Sequence, residues 1–360
     1  MIPTKIPVQK LRTFTKQVFL SMGCTEEHAN LAADVLIKAD LRGIDSHGVA
    51  RLIGYVRLWE KERINSRPEI KIEHETPSTA TIDGDKGLGL VVAPYAMKIA
   101  MAKAEQFGSG WVAVKNSNHF GIAGYHAMMA LDKDMIGMAM TNASPLVAPT
   151  FSKERMLGTN PICYAFPAGK YPPIIVDMAT SAAANGKLEI AQRKKESIPE
   201  GWLQDKEGVS STNAHGLKEG GALLPLGTDR THGSHKGFAL SSAVDIFSAV
   251  LSGANYGPWA PPFVAFLNPA DHPPGEGLGH FVGAMRVDGF RPVEDFKKHM
   301  DQWISRFKTS QPIEASQKVV IPGEPEFYAE QANRVHGINV AASVKEELDF
   351  LAKRFSIEAL

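Results

Sequence analysis

Gly87-Leu88-Gly89-Leu90-Val91-Val92 follows a strand-like run, Thr79 to Gly84, and precedes a helical pattern from about Ala93 to Phe107. A Gly-x-Gly between strand and helix is half of the fingerprint by which a Rossmann fold seats a dinucleotide. Both confirming features fail. Val92 stands at the third glycine position, and the next strand, Gly110 to Val114, runs into Lys115-Asn116 with no acidic residue for a ribose. The stretch reads instead as a glycine-rich turn that lets a helix pack tightly on a sheet. The fold class expected is therefore α/β but not Rossmann.

Working outward, Trp111 to Val114 is a short buried strand that ends in a polar loop, Lys115 to Gly124, followed by a helix to about Lys133. Met135 to Thr141, Asn160 to Pro167 and Ile174 to Ala179 read as strands. The last is expected to be buried on both faces, because its apolar run is continuous. Asn185 to about Arg193 is helical and Gly201 to Thr228 is loop-rich. The helix from about Lys236 to Leu251 is apolar nearly all round, which predicts a central buried helix. Val264 to Leu267 and Phe281 to Val287 read as late strands, with a Pro/Gly loop, Asp271 to Gly279, between them.

Upstream of the turn the pattern is helical: Val8 to Met22, Thr25 to Arg42 and Ser46 to Lys61. Helices also close the chain, beginning with an amphipathic one from Val293 to Ser310 that aligns Phe296, Met300, Trp303, Ile304 and Phe307. Helices at both ends of a central sheet region predict that the termini join. The expected division is a helical domain of residues 1–70 with 291–360, and a mixed-sheet domain of residues 71–290.

Bulk properties narrow the function. Lys+Arg and Asp+Glu both number 39 among 360 residues, so no global basic field argues for nucleic acid and no basic block for an anionic membrane. No run approaches the ~18 apolar residues of a membrane span, and residues 1–10 lack an apolar core of the signal-peptide kind. The two cysteines, Cys24 and Cys163, are too few for a disulfide framework. A soluble, cytoplasmic protein is expected.

The stretch Leu41-Arg42-Gly43-Ile44-Asp45-Ser46-His47-Gly48-Val49-Ala50-Arg51-Leu52 is the first place where chemistry gathers. Gly43 reads as a helix stop and Asp45 or Ser46 as the cap of the next helix. His47, Arg51 and Tyr55 then share one helical face at i, i+4 and i+8. An imidazole with a pKa of ~6.5 suits proton transfer, and a guanidinium fork suits a carboxylate. Most such pairs are only caps and solvated surface, so this stretch alone leaves the choice open. His119, on the polar loop after the Trp111 strand, is a second proton candidate.

Six blocks occur in order: Asp45-Ser46-His47-Gly48 with Arg51, Asn116-Ser117-Asn118-His119-Phe120-Gly121, Leu157-Gly158-Thr159-Asn160-Pro161, Val176-Asp177-Met178-Ala179, His235-Lys236-Gly237 and Pro322-Gly323-Glu324. Together they resemble the non-Rossmann malate/L-lactate dehydrogenase family, which includes ureidoglycolate, sulfolactate, diketogulonate and cyclic-imine reductases. The resemblance spans nearly the whole chain. It implies a mixed seven-stranded sheet with flanking helices plus a helical domain from both termini, a homodimer, and hydride transfer between NAD or NADP and a small 2-oxo acid. On the substrate side it points to Ser46, His47, Arg51 and His119. On the cofactor side it points to Ser144, Asp177, Met178, Ala179, Lys236, Pro322, Gly323 and Glu324. The residues alone allow plainer roles, a cap for Asp177 and Glu324 and a surface cation for Lys236. His119 is favoured for the proton, with His47 and Arg51 placing substrate. A cyclic imine or diketo sugar acid is the alternative substrate class. A metal-dependent hydrolase built on Asp45, His47, His119, His232 and His235 is the alternative of another class, and no metal-binding spacing supports it.

Overall fold

The computed structural model describes residues 3–360. The chain begins with strand β1 (Thr4–Ile6) and helices α1 (Val8–Ser21), α2 (Glu26–Leu41) and α3 (Leu52–Glu60). The central region runs β2 (Lys71–Glu75), β3 (Thr79–Gly87), α4 (Gly89–Phe107), β4 (Ser109–Ser117), α5 (Ala123–Met128), β5 (Met135–Thr141), β6 (Ile162–Phe166) and β7 (Ile174–Met178). Next come α6 (Asn185–Lys194), the two-residue strands β8 (Leu203–Gln204), β9 (Ser210–Ser211) and β10 (Ala222–Leu223), α7 (Ser234–Asp245) and β11 (Leu278–Arg286). The chain closes with α8 (Val293–Lys308), α9 (Glu324–His336), β12 (Ile338–Val340) and α10 (Ala342–Phe355).

Seven strands form one mixed sheet in the order β2-β3-β4-β11-β5-β6-β7. Only β3 and β4 run parallel, because α4 carries the chain back between them; the other neighbours are antiparallel. β11 takes the middle of the sheet, and its first seven residues are buried. One face of the sheet packs on α4 and α5 through Ile82, Val112, Val114, Met97 and Ala127. The other face meets α7 through Met138, Met140, Phe281 and Val244.

A separate apolar cluster joins the two ends of the chain. Leu11, Phe14, Phe19, Leu36, Leu52 and Tyr55 pack with Ile338, Val340, Leu348 and Leu351. The same cluster takes in Leu88, Leu90 and Val91, so the start of α4 ties it to the sheet. A short ladder between β1 and β12, which periodicity over three residues does not reveal, pins the termini. α8 lies elsewhere, with Ile304 and Met300 packed beside Ile174 and Ile321 along the β7 edge.

The glycine-rich turn does what steric reasoning asks of it. A Cβ on Gly89 would stand 2.0 Å from the carbonyl oxygen of Asn118. The turn is therefore bare so that α4 can touch the β4–α5 loop, and its close contact is with that backbone.

Several sequence expectations are corrected. Residues 46–61 are not one helix: two 3-10 turns, Asp45–His47 and Val49–Arg51, precede α3, and neither Asp45 nor Ser46 caps a helix by a side-chain bond. The break is at Gly48, which leaves helical backbone geometry (φ −87°, ψ −144°). Residues 264–267 form no strand; Val264, Phe266 and Leu267 pack instead against the apolar cluster that contains Leu146, Leu188 and Leu203. β7 is buried only at its start; Asp177 is exposed. The α7 helix is not buried all round. It loosens into a π turn at Ile246–Val250, and Ile246, Phe247, Val250 and the following Leu251 are 54%, 43%, 51% and 57% exposed.

Candidate functional site

Asp40 organises the first wall. It sits in the last turn of α2, where the helix dipole disfavours a carboxylate. Its side chain is buried and accepts the Val49 N–H at 2.9 Å. Burial raises its pKa well above the ordinary range, and the Val49 N–H opposes that rise. A Cβ on Gly48 would lie 1.8 Å from the Asp40 carboxylate, so glycine is required there for close approach. This contact folds the 3-10 segment and aims Ser46, His47 and Arg51.

Ser46 Oγ lies 2.9 Å from His47 Nδ1. The Arg51 Nε donates to the Ser46 carbonyl, and its Nη2 pairs with Glu189 of α6 at 3.0 Å. Opposite stands His119. Its ring stacks on that of His47, with centroids 5.7 Å apart and planes 18° from parallel. Tyr55, fully buried, places its hydroxyl 2.7 Å from His119 Nδ1. The Gly121 N–H donates to the same nitrogen at 3.3 Å. With Nδ1 engaged by the Tyr55 hydroxyl and the Gly121 N–H, Nε2 is the ring nitrogen left for a ligand.

Both histidines are half-buried. Burial, then the Arg51 charge, lowers the pKa of His47. Burial, followed by His47, Arg51 and His280, lowers that of His119 well below its usual value. The site therefore holds two neutral imidazoles beside one fixed cation.

The 260–264 segment roofs His119. Phe263 lies 4.6 Å from the His119 ring and 5.1 Å from the Tyr55 ring. Arg57 donates to the Phe263 carbonyl, Arg63 donates to the Pro262 carbonyl at 2.9 Å, and the Phe263 N–H donates to Ser144 Oγ at 2.8 Å. Ser144 is thus committed to this roof. Below, Phe120 is stacked between His126 and His280, both wholly buried. His280 bridges Ser117 (2.8 Å) and Thr141 (2.7 Å), and His126 meets the Phe120 carbonyl at 2.8 Å.

The residues expected on the cofactor side separate. Asp177, Met178, Pro322 and Gly323 line one cleft of about 390 Å³ with Arg42, Ile44, Ile175, Val176, Val320, Ile321, Pro325 and Glu326. The Asp177 carboxylate accepts the Gly124 N–H at 2.8 Å. Gly323 has a φ of +86°, and a Cβ there would come 2.7 Å from the Ile175 side chain, so bare backbone forms the wall. Apolar walls with carboxylates at the edge suit a planar base and ribose hydroxyls, so these residues fit part of a nucleotide cofactor. Ala179 follows directly, half-buried. Glu324 does not line the cleft; it pairs with Lys308 and accepts the Ile321 N–H at 3.2 Å. Lys236 projects to solvent from the first turn of α7.

The histidines do not assemble a metal centre. His232 pairs with Asp229 and His235 with Arg230, away from the His47–His119 stack. Among the described residues no group of three or more His, Cys, Asp or Glu is placed to hold a metal ion. Asp40, Phe263, Glu189 and His280 went unnoticed in the sequence. Only Asp40 gave a signal there, as an acidic residue at a helix C-terminus.

The sequence profile described as malate/L-lactate dehydrogenase matches residues 6–349. The malate dehydrogenase of Pyrococcus horikoshii is 43% identical over 99% of this chain and 97% of its own length. The L-sulfolactate dehydrogenase of Methanocaldococcus jannaschii is 41% identical over 86% of this chain and 85% of its own. The solved structure of the P. horikoshii enzyme superimposes with a TM-score of 0.90 at 40% identity, covering 99% and 97% of the two chains. With a profile match that runs nearly end to end and relatives 43% and 41% identical over most of their length, the chain belongs to the malate/L-lactate dehydrogenase family.

Proposed function

We propose that this protein is a nicotinamide-dependent dehydrogenase that interconverts a small 2-hydroxy acid and its 2-oxo acid, of the malate or lactate type, with NAD or NADP. The observation that carries the reading is the pair of stacked imidazoles beside Arg51. The family's cofactor, when bound, carries the hydride. The protein's part is to hold the acid and manage one proton.

Arg51 binds the substrate carboxylate, and Ser46 and His47 orient the carbon that changes oxidation state. His119, protonated once substrate is bound, gives its Nε2 proton to the carbonyl oxygen during reduction and is left neutral; in oxidation the free Nε2 takes the hydroxyl proton. Tyr55 and the Gly121 N–H engage Nδ1 and so direct Nε2 to that task. A substrate carboxylate seated between Arg51 and the two imidazoles puts negative charge nearer to both rings than Glu189 does and raises their pKa, so substrate binding draws in a proton. Asp177, Met178, Ala179, Pro322 and Gly323 hold the nucleotide portion.

Separate His119→Gln and His47→Gln variants test the roles. The first is expected to lower kcat by at least ~10²-fold. The second is expected to raise KM for oxaloacetate or pyruvate about 10-fold. The reverse split would exchange the two assignments.

We further propose a homodimer, supported by the exposed apolar side chains of the π turn. A cytoplasmic setting is proposed from the two unpaired, buried cysteines. Among the described residues no helix is long and apolar enough to cross a membrane.

A further inference from the structure

Each nitrogen of the Arg51 guanidinium has a partner within the chain. Nε reaches the Ser46 carbonyl, while Nη1 and Nη2 reach the two oxygens of Glu189 at 3.4 and 3.0 Å. Glu189 is itself held by Asn185 Nδ2 at 2.8 Å. The pair is well shielded, with side chains 14% and 28% exposed. A Cβ on Gly186 would stand 2.5 Å from Ser46, so α6 presses directly on the substrate-side segment.

Arg51 and Glu189 together line two neighbouring cavities, of about 330 and about 190 Å³. The first opens beside Asp45, Ser46 and Val344, the second beneath Phe263, the ring that roofs His119. The ion pair is the partition between them. Arg193 lines both cavities as well and follows Glu189 at i+4 on the same helix. A Glu four residues before an Arg is the favourable order for a helical ion pair.

We propose that Glu189 holds the place of the substrate carboxylate on Arg51, and that the substrate enters by carboxylate exchange. The acid takes the guanidinium, Glu189 swings to Arg193, and the partition opens. The inference rests on the reading of Arg51 as the substrate's partner. Exchange has a consequence for selectivity. Only a ligand bearing an anion in this position compensates Arg51 for the loss of Glu189, so neutral 2-oxo amides are refused. The affinity for the acid is lowered by the fraction of molecules in which Glu189 occupies Arg51.

The test compares wild type, Glu189→Gln, Asn185→Ala and Arg51→Gln with oxaloacetate as the probe, with NADH and NADPH each supplied. KM is measured together with hydrogen exchange of the α6 amides. Glu189→Gln is expected to lower KM at least 3-fold, and Asn185→Ala, which only loosens Glu189, to lower it by less. Arg51→Gln is expected to raise KM at least 10-fold. In wild type, oxaloacetate is expected to speed α6 exchange; in Glu189→Gln it leaves α6 unchanged. If KM is unaltered or raised in both Glu189→Gln and Asn185→Ala while Arg51→Gln still weakens binding, the exchange is wrong and the carboxylate role of Arg51 stands. If Glu189→Gln fails to fold, Asn185→Ala with its α6 exchange decides alone. If Arg51→Gln leaves KM unaltered, or wild type does not bind oxaloacetate, the functional reading fails and this inference with it.

Discussion

At the scale of single residues, the site is governed by two buried decisions. One is the Asp40–Val49 bond, which bends the chain at Gly48. Gly48→Ala would drive a methyl into the Asp40 carboxylate and strand the Val49 N–H. Overpacking and a lost buried hydrogen bond together are expected to cost about 3 kcal/mol, read as a lower urea midpoint. The other is the neutrality of His47 and His119. Both pKa values lie below the ordinary value in the free protein, and a substrate carboxylate bound beside the rings, as proposed above, would raise them. The complex then binds more protons than the free enzyme. Affinity for a 2-oxo acid is expected to rise as pH falls toward the raised pKa of the complex. Calorimetry in buffers of different ionisation enthalpy would register the proton uptake; a release of protons on binding would refute the coupling.

At the scale of elements, the loop that carries His119 is stiffened from beneath. Phe120 is pressed between two imidazoles that have no exposed surface. Burial brings His126 down to about 4 and His280 to about 3. An unfolded chain protonates these groups near the ordinary ~6.5, whereas the folded chain resists. Their contribution is complete above that value and is lost as pH falls toward about 4 and about 3. Asp40 and Asp245, both raised by burial, pull in the opposite sense, so the whole-protein curve mixes the two. A difference measurement isolates one histidine. His126→Gln is expected to be less stable than wild type at neutral pH, and the gap to narrow by about 1.4 kcal/mol per unit below pH ~6.5. A gap independent of pH would mean that His126 titrates normally.

At the scale of the whole molecule, the sheet has one fully dressed face and one that α7 covers only in part. On that side the π turn leaves four large apolar side chains in water. Isolated exposed leucines are ordinary, but a contiguous apolar strip marks an interface. In the proposed homodimer, Phe247→Glu with Leu251→Glu is expected to halve the mass seen by light scattering while leaving the far-ultraviolet circular dichroism unchanged. A wild-type protein that already runs as a monomer would dispose of the dimer. The terminal cluster makes a second whole-molecule point. α2 and α10 are over 300 positions apart in sequence yet share one core, so the ends of the chain cannot be trimmed independently.

The sequence alone determined what local spacing and order encode. The failed fingerprint at Gly87–Val92 excluded a Rossmann fold, and the periods of β3, β4, β5, α1 and α2 predicted those elements closely. The six ordered blocks indicated the family. What only tertiary structure decided lies between segments remote in sequence. The Arg51–Glu189 pair spans 138 positions, the Ser144–Phe263 bond 119, and the Tyr55–His119 bond 64. Periodicity reports how a residue faces its own element; it carries no information on which remote carboxylate or hydroxyl meets it. The helix expected after Ser46 failed for the same reason. Local pattern favoured a continuous helix, and a carboxylate from the preceding one, acting through a single buried bond, broke it.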